Sequence, residues 1–232
     1  MTSNKVSGNM YPFVTLTKNY IKGICEHDCT YCYIKAMVPN LKPARFDKSE
    51  LKEDLGDGEY YFIGSSCDMW AKSIPAEWIE TALEHCRKYP KNTYLFQSKN
   101  PIRFHEFVDK LPPDSILCTT IETNRNIRVK VNGVERPVSY APLPAQRAIH
   151  LAKLVTMRKS VTLEPIMDFD IHDMVALIRH VNPEFVSIGA NSKESQLGKL
   201  PEPSRAKLES LIIELESFTN VILKKNLKRL RE

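Results

Sequence analysis

Apolar residues along the chain follow two alternating rhythms. Short apolar runs at 60–64, 93–97, 115–121, 160–164, 185–189 and 220–223 read as buried strands. Val14, Thr15 and Leu16 are compatible with an earlier one. Between the runs, apolar residues recur at helical spacing. Trp78, Ile79, Ala82, Leu83 and Cys86 share one face of a helix opened by Pro75. Phe104, Phe107, Val108 and Leu111 predict another helix, beginning at Pro101. Ala148, Leu151, Ala152 and Val155 mark a third. Asp170 can cap a fourth that carries Met174, Leu177, Ile178 and Val181, and Leu208, Leu211, Ile212 and Leu215 stripe a fifth.

Strand–helix alternation with short apolar strands means a parallel sheet covered by helices. The units are too few for a closed eight-unit barrel of ~250 residues. An α/β fold built as a partial (β/α)6 TIM-like barrel fits the count, in a single domain over 1–232. A doubly wound sheet would leave the same pattern. One stretch breaks the rhythm. Residues 127–138 alternate apolar and polar around Asn132-Gly133, a strong hairpin signal. The hairpin insertion, taken as 126–140, follows a strand and so belongs at the C-terminal rim of the sheet, where lids are found.

Composition narrows the class. With 232 residues, 42% apolar and 26% charged, the chain can bury one core without a disulfide framework. No apolar run approaches the ~18 residues of a membrane span, and the N-terminal stretch has no leader-like apolar region. The expectation is a cytoplasmic protein without membrane contact. The net charge is +5, and most of it sits in the last dozen residues, on Lys224, Lys225, Lys228, Arg229 and Arg231. A generally basic surface is therefore not indicated; a local basic tail is.

The cysteines decide more. Cys25, Cys29 and Cys32 form C-x3-C-x2-C, while Cys67, Cys86 and Cys118 are scattered. Clustered thiols in a chain without a secretion signal point to metal. Zinc wants four protein ligands, usually as two separated pairs, and no fourth cysteine lies nearby. His27 lies between the thiols, where a tight loop gives it poor reach. Three thiolates around a four-iron cube leave one iron open to a small molecule. Cys86 falls on a helical stripe and Cys118 inside a strand, so both read as core.

With Tyr31 just before the third cysteine, the motif resembles that of the radical S-adenosylmethionine (SAM) superfamily. The chain looks like a compact group within it that includes phage-encoded members and is similar to spore photoproduct lyase. The stretches 64–70, 97–101, 120–125, 162–165 and 188–192 carry that likeness, and each closes a predicted strand. The resemblance implies a partial barrel, a [4Fe-4S] cluster on Cys25, Cys29 and Cys32, and SAM as the second cofactor. It implies reductive cleavage of SAM to a 5′-deoxyadenosyl radical that abstracts hydrogen from a substrate, with an electron donor of flavodoxin or ferredoxin type. Such an enzyme is oxygen-sensitive.

Site residues follow from the same resemblance. Tyr31 would pack near the adenine or the cluster. Gly64, Ser65 and Ser66 stand where the family carries Gly-Gly-Glu toward the SAM amino group. The acid is absent, so that contact falls to backbone carbonyls or hydroxyls. Lys99 would pair with the SAM carboxylate. Thr120 and Glu122 share a strand face by alternation and, with Glu164, would meet ribose or amino groups. Asp68, Arg125, Arg147 and Asn191 are further candidates for substrate contacts or salt bridges. Cys67 is the candidate catalytic hydrogen donor, by analogy with a cysteine in the corresponding stretch of the lyase.

The substrate class stays open between a nucleotide or nucleic acid and a small metabolite, and a protein substrate is also compatible. Arg128, Lys130 and Arg136 near the lid position favour the nucleic-acid class. The alternative without catalysis is a zinc- or cluster-stabilised nucleic-acid-binding module.

Overall fold

The computed structural model describes residues 4–5, 8–192 and 199–232. In chain order the elements are β1 (Asn4–Lys5), β2 (Leu16–Lys18), β3 (Ile21–Lys22), α1 (Tyr33–Met37), β4 (Arg45–Phe46), β5 (Tyr60–Ile63), α2 (Ala76–Arg87), β6 (Thr93–Ser98) and β7 (Ser115–Thr120). They continue with β8 (Arg128–Val131), β9 (Val134–Pro137), α3 (Pro144–Ala152), β10 (Arg158–Leu163), α4 (Ile171–Val181), β11 (Phe185–Ile188), α5 (Arg205–Glu216), β12 (Asn220–Leu223) and α6 (Lys228–Arg231).

The main sheet runs in the order β1-β2-β5-β6-β7-β10-β11-β12. Every neighbouring pair from β2 to β12 is parallel, and only β1 runs antiparallel at the edge. This is a partial TIM-like barrel, with one parallel strand more than a six-strand barrel has. Period-2 alternation sorts its two faces. Tyr61, Ile63, Tyr94, Phe96, Leu117, Val161, Leu163, Val186 and Ile188 point outward and pack with the helices in the large core. Phe62, Leu95, Ile116 and Cys118 point inward, where Tyr11 and Val14 complete a smaller plug.

Most predicted elements form where the pattern puts them. Leu208, Leu211, Ile212 and Leu215 are all buried on α5. The first strand starts at Leu16 rather than Val14, because Val14 is spent in the inner plug. The helix predicted at Pro101 does not form. Residues Pro101–Glu106 and Val108–Lys110 are two 3-10 turns instead. Pro101, Phe104 and Phe107 sit three apart and are all buried, which suits a three-residue turn. Phe104 and Phe107 close edge-on against the buried Trp70, with ring centroids 4.8 and 5.8 Å away. The third helix stops at Ala152, so Val155 is left exposed. Asp170 stands at the N-cap of α4, but its carboxylate pairs with Arg125 rather than with the helix backbone.

The β8–β9 hairpin is present, with Asn132 and Gly133 both in the left-handed region that a tight two-residue turn demands. Among the described residues, no helix is long and apolar enough to cross a membrane.

Candidate functional site

The loops leaving the C-terminal ends of the parallel strands enclose one cavity of about 960 Å³. That is near the upper end of small-molecule sites, ~300–1,000 Å³. Cys25, Cys29 and Cys32 line it from the loop after β2 and β3. Gly23 starts this loop at φ +120°, and a Cβ there would lie 2.6 Å from the carbonyl oxygens of Lys42 and Pro43. Only glycine lets the two segments pass so closely. Among the described residues, no three His, Cys, Asp or Glu side chains converge to hold a single metal ion. A cubane cluster takes its thiolates at separate corners and needs thiols spread over one wall. Three thiols facing one cavity fit that donor set.

The loop is fixed from within by His27. Its Nε2 lies 2.9 Å from Asp68 Oδ2, and both groups are largely buried. The same carboxylate oxygen accepts from Ser98 Oγ at 3.0 Å and from the Lys99 backbone at 2.8 Å, and Oδ1 accepts from the Trp70 backbone. Burial raises the Asp68 pKa, yet the bonded imidazole outweighs it and holds the carboxyl below its usual range. Asp68 thus ties the cysteine loop to the ends of β5 and β6. His27 lines the cavity and is tethered through its Nε2 to Asp68.

The other predicted residues divide into a wall and its backing. Tyr31, Gly64, Ser65, Ser66, Cys67, Lys99, Thr120 and Glu164 all line the cavity. Ser65 and Ser66 direct their hydroxyls at Asn19, and Tyr33 donates to the Ser65 carbonyl at 2.7 Å. Both hydroxyls and the Ser65 carbonyl are thus already engaged by protein groups. Cys67 is buried on the wall as a free thiol, and its influence together with burial pushes the Cys25 pKa up. At Cys29 burial is the largest cause of the same rise, with the Glu122 carboxylate and Cys25 adding to it against Lys99 and Ser139.

Lys99 reaches the cavity with its ammonium 5.4 Å from the Tyr31 ring centroid and 3.7 Å from Glu122 Oε1. Burial opposes its charge, but the Cys29 sulfur and the Glu122 carboxylate prevail and keep the lysine protonated. Glu122 is not on the cavity wall. It sits behind, fully enclosed, bonded to the Tyr31 hydroxyl and 2.6 Å from Arg147 Nη1. A buried carboxylate is tolerable only when paired in this way. Sequence reasoning gave Glu122 a ligand contact; the structure gives it two cavity-facing neighbours to hold. Arg147 also donates to the carbonyls of Thr120 and Pro142.

Glu164 lines the same cavity as the cysteines. It accepts from Asn9 Nδ2 at 2.6 Å, from Asn226 Nδ2 at 3.2 Å and from Lys224 Nζ at 2.5 Å. Gly189 makes room, because a Cβ there would lie 2.7 Å from Glu164 Oε1. No sequence signal joined Asn9 to Lys224, which lie at opposite ends of the chain.

Several charges expected to meet substrate are otherwise engaged. Arg125 pairs with Asp168 and Asp170. Arg128 pairs with Glu135 inside the hairpin, and Arg136 pairs with Asp28 of the cysteine loop. The basic tail is docked: Lys224 is buried, Arg229 meets Glu202 and Arg231 meets Glu209. Among the described residues that line the cavity, none belongs to the hairpin. Asn191 does line the wall.

No family model and no curated protein matches the sequence. Solved structures match the fold. A spore photoproduct lyase mutant aligns at TM-score 0.65 and 11% identity, over 96% of this chain and 78% of that one. Another lyase mutant, with bound AdoMet and dinucleoside spore photoproduct, gives 0.65 and 10% with the same coverage. SuiB from Streptococcus suis, bound to its precursor peptide SuiA, gives 0.61 and 11% over 89% of this chain and 48% of its own. The chain therefore has the fold of the radical SAM enzymes and is similar in structure to these two.

Proposed function

We propose that this protein is a radical SAM enzyme whose [4Fe-4S] cluster is held by Cys25, Cys29 and Cys32, with SAM in the adjoining cavity. One observation carries the reading. The three thiols and Tyr31, Gly64–Ser66, Lys99, Thr120 and Glu164 come from separate loops yet reach a single cavity at one end of a parallel sheet. In open α/β sheets that end is where ligands bind. The lyase structure with bound AdoMet supports the choice of cofactor.

When bound, the cluster and SAM would supply one-electron chemistry for abstracting hydrogen from the substrate. The chain's own part is binding and shielding. The Lys99 ammonium, kept charged by its neighbours, pairs with the SAM carboxylate. Carbonyls of residues 64–66 would meet the amino group in place of the missing acid. Tyr31 lies against the ligand, and Glu122 with Arg147 holds Tyr31 and Lys99 at their stations. Cys67, buried on the same wall, is the candidate hydrogen donor to a product radical.

The substrate is a nucleotide or nucleic acid, or a small metabolite, and the electron comes from a flavodoxin- or ferredoxin-type donor. The lyase with bound dinucleoside supports the first substrate class. Against it, the arginines expected to meet phosphate are ion-paired. Titration with duplex DNA at two salt concentrations separates the classes: binding at low salt that weakens steeply with salt supports nucleic acid, and none at low salt removes it.

Anaerobic reconstitution tests the cluster. About four iron and four sulfide per chain are expected, falling sharply in Cys29→Ser. Zinc without sulfide would support a non-catalytic metal-stabilised module.

A further inference from the structure

We infer that the β8–β9 hairpin is a clasp that holds the cysteine loop in its ligand-ready shape before any cluster is present. This rests on the proposed cluster site and adds to it how that site is built.

The contacts run almost residue by residue between 27–30 and 136–140. The Thr30 amide donates to the Val138 carbonyl at 2.8 Å, and the Tyr140 amide donates to the His27 carbonyl at 2.8 Å. Arg136 Nη2 donates to the Asp28 carbonyl at 2.8 Å and to its carboxylate at 2.5 Å. Ser139 Oγ accepts from the Cys29 thiol at 3.3 Å. The apolar side of the hairpin, through Val129, Val131 and Val138, packs with Tyr31 and Met167.

Asp28 shows what the clasp is for. It lies between two of the cysteines with φ +44°, a left-handed conformation that costs a non-glycine residue free energy. Such a residue persists only where its surroundings over-determine it. Here Arg136 grips both its carbonyl and its carboxylate, while Lys35 pairs with the other carboxylate oxygen and donates to the Cys29 carbonyl. Together with the His27–Asp68 tether on the inner side, these bonds engage the loop from two directions, although Thr30 Oγ1 stays buried without a partner. Metal sites are seldom preformed without their ion, and their ligand loops usually order on binding. This loop is pinned from both faces by groups that are not ligands.

The test uses the full-length chain freed of iron and kept reduced, followed by amide hydrogen exchange. The amides of Thr30 and Tyr140 are expected to be protected in this cluster-free wild type. In Arg136→Ala, exchange across 25–32 rises roughly threefold to tenfold, with the barrel strands unchanged. The reconstituted variant loses iron to a chelator faster by a similar factor, Arg136→Lys falls between, and Arg128→Ala behaves as wild type. Free exchange of 25–32 in the cluster-free wild type would overturn the inference, as would Arg136→Ala matching wild type in both exchange and iron loss. A wild type that takes up no iron and sulfide would instead sink the cluster reading, and the exchange result on the cluster-free chain would stand by itself.

Discussion

Glu122 and Arg147 meet 2.6 Å apart with side chains 2% and 4% exposed, making this the buried ion pair on which the candidate site rests. The carboxylate also accepts from the Tyr31 hydroxyl and faces the Lys99 ammonium. One enclosed charge therefore orients two residues of the cavity wall. Removing its strongest partner leaves that charge uncompensated. Arg147→Met is expected to destabilise the cluster-free chain by about 3 kcal/mol in urea unfolding. Glu122→Gln combined with Arg147→Met should recover part of the loss, because no unpaired charge then stays behind.

Acid should weaken the same pair. Burial raises the Glu122 pKa, but the charges of Arg147 and Lys99 outweigh it and hold the carboxyl below its ordinary value. A group depressed on folding contributes stability above its unfolded pKa of about 4.3 and loses it as pH falls through the lower folded value. Wild type should thus lose stability relative to Glu122→Gln only below about pH 4. Unfolding free energies of the two proteins between neutral pH and pH 3 measure it; a gap that stays constant would contradict the assignment.

Gly23→Ala addresses the entry to the cysteine loop. A Cβ 2.6 Å from two carbonyl oxygens forces the loop away from residues 42–43. The expected outcome is a loss of about 1–3 kcal/mol and a fall in iron bound after reconstitution. A Gly23→Ala protein with full iron content would show that this close approach does not matter to the site.

Cys67→Ala separates two steps. Cys67 is on the wall but outside the C-x3-C-x2-C set. The variant should still cleave SAM and should change which products form once a substrate is found. Identical product ratios in wild type and variant would remove Cys67 as hydrogen donor.

Much of this was legible in the sequence, and the reasons are local. Strands such as β5 and β11 announce themselves because a parallel strand covered on one face and plugged on the other is apolar almost throughout. The hairpin showed through Asn132-Gly133, since few dipeptides take two left-handed residues in succession. The cysteine spacing marked the cavity. What stayed hidden is long-range pairing. The Arg136–Asp28 and Lys224–Glu164 ion pairs join residues far apart in the chain, and nothing in either neighbourhood records the partner. For that reason the ion pairs of Arg128 and Arg136, both read as phosphate contacts, could not be foreseen, nor could the hairpin's contacts with the cysteine loop. The helix expected at Pro101 failed for a different cause: i, i+3 spacing serves a 3-10 turn as well as an α-helix.

The most direct measurement is anaerobic incubation of the reconstituted protein with SAM and dithionite, with 5′-deoxyadenosine read by chromatography and mass. The proposal predicts its formation by the wild type and its loss in Cys25→Ala, Cys29→Ala and Cys32→Ala. A wild type carrying its full iron and sulfide that releases no 5′-deoxyadenosine would contradict it.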